Sequence, residues 1–168
     1  MGAAQQGADV TDGRWMMTAR TLSFVTYEDK VLLIKRAPHK RVFPNQYNGL
    51  GGFIEANEDP YTSARREIRE ESGLDVHDLH LAAVHHINTN ASSGIMLFVF
   101  TGQATSPNVV NDGREGTLEW IPIEALDEYD LVEDLPLILP TYLQRSATRF
   151  ALVTYDEHDH IQLAYAEP

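Results

Sequence analysis

The stretch from Asn48 to Leu74 constrains this chain more than any other. Gly49, Gly51 and Gly52 crowd into four consecutive positions, with apolar residues between and after them. That density predicts a short strand over 48–55 entered by a tight turn, because glycine alone lets a backbone come so close to its neighbours. Asp59 then stands where a helix N-cap belongs, and Pro60 suits the first helical position. Tyr61, Ala64 and Ile68 recur at helical spacing and can face a core. Gly73 follows the helix, where a left-handed cap is wanted. On this helix Glu67, Glu70 and Glu71 lie at i, i+3 and i+4, which sets three carboxylates on one stripe beside the apolar one. Like charges so spaced repel. Either they form a solvated face balanced by Arg65, Arg66 and Arg69, or they hold a hard cation such as Mg²⁺ or Mn²⁺, which prefers carboxylate and carbonyl oxygens.

The rest of the chain reads as one domain around that segment. Its 168 residues suffice for a core without staples, and cysteine is absent, which excludes disulfides, thiolate metal sites and a cysteine nucleophile. Residues 1–13 are small and polar and are expected to form a flexible tail, leaving a domain over 14–168. They lack the basic start and apolar stretch of a secretory signal, and a reducing cytoplasm is compatible with the composition. No apolar run is long enough for a transmembrane helix. Asp plus Glu number 25 against 13 Lys plus Arg, a net charge of −12, so duplex DNA and anionic membranes are poor partners. A monomer or homodimer is expected.

Thr21–Tyr27 and Val31–Ile34 flank a polar turn and predict a hairpin, followed by a basic loop carrying Arg36, Lys40 and Arg41. Strands are expected at Leu79–Ile87 and Ile95–Thr101, a short extended segment at Glu119–Ile123, a helical turn at Glu124–Leu126 and an apolar helix over Leu135–Arg145. Phe150–Tyr155 and Ile161–Tyr165 form a closing hairpin. His85 and His86 are neighbours in a strand and so face opposite ways, and His158 and His160 fall in the last turn.

From Gly52 the chain runs five residues to Glu58, seven more to Arg66-Glu67-Ile68, then Glu70-Glu71 and Gly73-Leu74. This pattern, Gly-x5-Glu-x7-Arg-Glu-aliphatic-x-Glu-Glu-x-Gly-aliphatic, matches the Nudix box at every specified position. At ordinary residue usage such a match arises by chance on the order of once in a billion windows. The chain thus resembles the Nudix hydrolases over Gly52–Leu74. The resemblance implies an α/β fold, an α/β/α sandwich with a mixed central sheet, and Mg²⁺-dependent (or Mn²⁺-dependent) hydrolysis of a nucleoside diphosphate linked to another group. It implies metal ligation by Gly51, Gly52, Glu67, Glu70 and Glu71, with Arg66 orienting Glu67 and Glu58 supporting the loop–helix junction. The general base is the residue matching Glu67 or a carboxylate outside the box. Glu115 and Glu119 precede Trp120, where MutT-like members place an additional metal-binding Glu; Glu115 is preferred, a solvated loop carboxylate being the alternative for either.

Gln46-Tyr47-Asn48-Gly49-Leu50-Gly51-Gly52 further resembles the Trp-Asn-Gly-x-Gly-Gly stretch of MutT-like purine nucleoside triphosphate diphosphatases, with Tyr47 in place of Trp. Thr21-Leu22 and Val132-Glu133-Asp134 extend the likeness, Val132 standing where a stacking Trp often sits. The resemblance assigns Asn48 and Asp134 to the purine, with Thr21 beside them, while Lys35 and Arg36, at the end of the second expected strand, are placed to touch phosphates. Each has a plain alternative: a turn residue for Asn48, a helix N-cap for Asp134, surface cations for Lys35 and Arg36. The implied substrate is a purine nucleoside triphosphate, of the type of 8-oxo-dGTP, cleaved to a monophosphate and pyrophosphate. ADP-ribose or another nucleotide conjugate is the alternative substrate, and a non-catalytic nucleotide-binding module the alternative class.

Overall fold

The expected hairpin forms between β1 (Met16–Tyr27) and β2 (Lys30–Arg36), but the two strands pair only from Val25↔Leu32 to Tyr27↔Lys30. Beyond that they splay apart. The gap is filled by β3 (Tyr47–Asn48), which pairs with the end of β2, and by the glycine-rich segment after it. That segment bonds to β1 instead: Ser23 and Leu50 exchange both N–H···O bonds, and the Thr21 N–H donates to the Gly52 carbonyl at 2.9 Å. The expected strand over 48–55 is thus a two-residue strand followed by isolated bridges. The protein is represented by a computed structural model that describes residues 7, 13–111, 113–144 and 147–167. Apart from Gly7 and Gly13, the tail expected over 1–13 lies outside the described residues.

The remaining strands are β4 (Val76–Ile87), β5 (Ser93–Ala104), β6 (Gly116–Pro122), β7 (Arg149–Tyr155) and β8 (Ile161–Tyr165). They form one sheet in the order β3-β2-β1-β5-β4-β7-β8, with β6 lying antiparallel along β2. The sheet is mixed. β1 runs parallel to β5, and β4 parallel to β7, while the other pairs are antiparallel. Both β1 and β5 are longer than expected, because Met16–Arg20 in β1, and Ser93, Gly94 and Gly102–Ala104 in β5, join the ladder through backbone bonds.

Period-two alternation sends neighbouring residues to opposite faces. Leu32, Ile34, Val25 and Phe100 meet Ala64 and Ile68 of α1 (Pro60–Ser72) on one face. Leu22, Phe24, Val31, Leu33 and Val99 meet Leu135, Ile138 and Leu139 of α2 (Leu135–Tyr142) on the other. Helices on both sides of a mixed sheet make the expected α/β/α sandwich. Two expectations need correction. Tyr61 is 43% exposed, at the rim of the core, with its ring edge-on to Phe100. The second helix ends at Tyr142, where Leu143 still has helical backbone but turn structure takes over; Arg145 lies outside the described residues. The last turn behaves as expected, Asp156 accepting from the backbone N–H groups of His158 and His160.

The start and end of α1 follow its local sequence. Asp59 accepts from the N–H groups of Tyr61 and Thr62 at 2.8 and 3.0 Å, and Gly73 adopts φ 70° while its N–H closes on the Arg69 carbonyl. Replacing Asp59 by Ala removes acceptors from two otherwise unpaired donors. The expected result is a lower midpoint in urea unfolding, with the far-ultraviolet spectrum of the native protein unchanged.

Candidate functional site

The carboxylate stripe of α1 is organised by one arginine. The Arg66 guanidinium donates to both oxygens of Glu58 at 3.0 and 2.6 Å, to Glu67 at 2.8 Å, to Glu70 at 3.1 Å and to the Phe53 carbonyl at 3.1 Å. Glu58 in turn accepts the Glu55 N–H at 2.9 Å. The bidentate fork holds the Glu58 carboxyl down to about 2 and raises Arg66 above its ordinary value. Helix and preceding loop are thereby clasped together, and Glu67 is turned toward the glycines. A Cβ at Gly52 would collide with the Glu67 carboxylate, so a side chain there would displace it.

Glu71 reaches the loop from below, accepting the Gly51 N–H at 2.9 Å. Burial pushes its carboxyl up to about 8, against the relief of that bond, and the charges of Glu67 and Glu115 push the same way. Burial also raises Glu67, against Arg66. Gly51 has φ 147°, and a Cβ there would strike the Thr21 carbonyl. The Gly51 carbonyl accepts no hydrogen bond among the described residues, whereas that of Gly52 already takes the Thr21 N–H.

These donors are all hard oxygens, and Glu71 is a carboxyl whose charge has too little compensation. That chemistry fits a divalent cation. As arranged, no three Asp, Glu or His among the described residues converge on one point, because Arg66 occupies Glu67 and Glu70. Glu115 forms an ion pair with Lys40 at 2.5 Å, within electrostatic reach of Glu71. Glu119 is elsewhere. It pairs in register with Leu33, whose side chain joins the α2-side core, and accepts from the hydroxyls of Tyr47 at 2.6 Å and Tyr129 at 3.4 Å.

On the α2 face lies a cavity of about 400 Å³. Its lining is mostly apolar, including Leu22, Ile87, Ile95, Leu97, Val153 and Ile161, and the polar residues Thr21, Asn48 and Asp134 join it. Asn48 accepts the Gly49 N–H with Oδ1 at 2.8 Å, which realises the turn reading and leaves its NH₂ as a donor. Asp134 precedes α2 but its side chain makes no cap hydrogen bond. Burial pushes its carboxyl up to about 6. The Thr21 hydroxyl is buried with no partner among the described residues. Lys35 does not line the cavity; its ammonium sits 5.5 Å from the centroid of the Tyr47 ring. Arg20, Arg36 and Arg41 line it instead. Of these, Arg20 escaped the sequence reading because strand position 20 precedes the apolar run; its register opposite Phe53 exists only in the fold.

Three comparisons bear on this arrangement. The NUDIX domain matches residues 17–142. A prenyl-diphosphate phosphatase of Methanosarcina mazei is 30% identical over 118 residues, 68% of either chain, and a Nudix hydrolase of Deinococcus radiodurans 29% identical over 121 residues, 67% of this chain and 68% of that one. Among solved structures, a MutT protein from Bacillus halodurans superimposes with a TM-score of 0.77 at 22% identity, covering 90% of this chain and 100% of that one.

Ligation of a cation by Glu71 requires its carboxylate form. Below pH 8, Mg²⁺ binding is therefore expected to release up to one proton per ion from Glu71, and the release should fade as pH rises through about 8. Calorimetric titration in buffers of different ionisation heat measures this count. A count that stays flat from pH 6 to pH 9.5 would remove Glu71 from the ligand set.

Proposed function

This chain belongs to the NUDIX family, and we propose that, as a hydrolase of nucleoside diphosphate derivatives, it takes as substrate a purine nucleoside triphosphate, cleaved to the monophosphate and pyrophosphate. The observation that carries the reading is the cavity beside the carboxylate helix, with Asn48 and Asp134 on its wall. An amide NH₂ and a carboxyl poised near pH 6 offer donors and an acceptor to a purine edge. The unmatched Thr21 hydroxyl adds one more group whose burial a ligand would compensate. An oxidised purine such as 8-oxo-dGTP is the intended form, since it presents one extra donor to such a wall.

Glu67, Glu70, Glu71 and the Gly51 carbonyl would hold a Mg²⁺ ion, with Gly52 backing Glu67 and Glu115 as an auxiliary ligand. Bound there, the ion would neutralise phosphate charge and acidify a water. Arg66 keeps Glu67 oriented, and Glu67 is the general base for the attacking water. The cavity holds the base while the triphosphate extends toward α1.

A second reading has its own support. The cavity floor of Leu22, Ile87, Ile95, Leu97 and Val153 would also accept a hydrocarbon chain, and one relative is named a prenyl-diphosphate phosphatase. A prenyl chain, however, has no hydrogen bonds to give Asn48 and Asp134.

Turnover on a panel of 8-oxo-dGTP, dGTP, ATP, ADP-ribose, diadenosine tetraphosphate and a prenyl diphosphate, with products identified, separates these. The expected result is preferential release of pyrophosphate from 8-oxo-dGTP, reduced at least a hundredfold in Glu70→Gln. Preference for ADP-ribose or the prenyl diphosphate would overturn the purine assignment.

Asp134 also predicts a trade between function and stability. An unfolded aspartate ionises near 3.8, the folded one near 6. Between those values the folded chain keeps a proton that the unfolded chain has lost, so the cost of burying this group grows as pH rises and is complete above about 6. Asp134→Asn should therefore gain about 3 kcal/mol at pH 7.5 and almost nothing at pH 3.5, while losing most purine affinity. Urea unfolding at both pH values checks the sign.

A further inference from the structure

Most cations near α1 are matched to carboxylates. Arg66 serves Glu58, Glu67 and Glu70, Lys40 pairs with Glu115, and Arg69 lies 3.7 Å from Asp75. Arg20 and Arg36 are not. Both are half-buried in the cavity lining, and no carboxylate lies within ion-pair distance of either among the described residues. Arg36 spends one donor on the Val42 carbonyl at 2.8 Å, and Arg20 lies 4.7 Å from the centroid of the Phe53 ring.

Their placement is unfavourable by itself. Partial burial, and after it the charge of Arg36, act against the Arg20 guanidinium, and the charge of Glu67 favours it. In a chain with 25 acidic residues, two half-buried guanidinium groups set near each other with no carboxylate in ion-pair contact, Glu67 and Glu71 acting on them only from farther off, are an anomaly. An anion seated between them would remove the repulsion and supply the missing hydrogen bonds.

The position says which anion. Arg20 stands opposite Phe53 in the β1 bridge, one residue past Gly52, and feels Glu67 of the carboxylate stripe, while its other flank lines the cavity. We propose that Arg20, together with Arg36, forms a guanidinium grip for the phosphate at the junction between the cavity and the carboxylate helix. The stacking on Phe53 holds the Arg20 plane while leaving its N–H edge free for a bidentate contact. The grip binds without the metal, because its donors are side chains already in place. It rests on the cavity being the substrate site, but not on the ligand being a purine.

The test is calorimetric binding in EDTA at low salt, with inorganic pyrophosphate, dGMP and deoxyguanosine as probes. The proteins are the parent chain, Arg20→Gln and Arg20→Lys, each first shown to unfold cooperatively. The expected result is that Arg20→Gln weakens pyrophosphate and dGMP about tenfold and leaves deoxyguanosine unchanged, while Arg20→Lys recovers only part, having the charge without the fork. Pyrophosphate weakened in Arg20→Gln, with neither dGMP nor deoxyguanosine bound by any protein, would support the grip and sink the purine reading. Pyrophosphate bound equally by the parent chain and Arg20→Gln, or by none of the three, would overturn the grip, whatever the nucleotides do.

Discussion

β1 and β2 separate after three paired residues, and the backbone that fills the gap between them sets the rest of the site. Strands that splay leave unpaired N–H and C=O groups, which must be satisfied from elsewhere. The segment after β3 does this by bonding to Ser23 and Thr21, and it can come close enough because Gly51 and Gly52 have no Cβ to strike the Thr21 carbonyl or the Glu67 carboxylate. One wedge of chain therefore touches both faces of the sheet. On one side it meets Glu67 and Glu71 of α1, and on the other it opens into the cavity through Asn48 and Gly49. The two halves of the site are neighbours because a single backbone segment borders both.

The second half depends on what α2 leaves uncovered. Its eight residues pack over Phe24, Leu33 and Val99, but Ile87, Ile95 and Val153 further along the same face remain the floor of the cavity. The wall of that cavity is fastened to β3. The Tyr47 N–H donates to the Asp130 carbonyl, the Val132 N–H donates back to that of Tyr47, and the Tyr47 hydroxyl reaches Glu119. This hydroxyl explains the tyrosine: its acceptor lies on β6, and the ring stacks edge-on with Tyr129. The strand that carries Asn48 and the turn that carries Asp134 are thus held in one register.

Electrostatics divide the site into parts of opposite sign. The carboxylates of α1 repel one another and are restrained by Arg66, while the arginines at the cavity repel one another and have no carboxylate in ion-pair contact among the described residues. A polyphosphate with its cation has both signs and would lie along this boundary. His85 is excluded from such chemistry. Burial holds its imidazole down to about 4, and its Nε2 contact to the Tyr142 hydroxyl at 2.6 Å anchors α2 to β4. His86, as the strand pattern requires, faces the other way and meets Trp15.

Local chemistry in the sequence determined the helix from Asp59 to Gly73 and the carboxylate stripe on it, since caps and helical spacing act between residues close in the chain; the sandwich class came with the resemblance carried by the Gly52–Leu74 spacing. The spacing from Gly52 to Leu74 also determined the family. Only the tertiary structure decided what depends on contacts across the chain. It set Glu119 on the α2 face and Glu115 near Glu71, a choice made by the register of β6 on β2. It left the Asp134 side chain uncapping and buried, and turned Lys35 to the Tyr47 ring while bringing Arg20 beside Arg36. A charged residue's role rests on what stands opposite it, and in a sheet that partner is set by strand order and register, to which nearest neighbours in sequence contribute nothing.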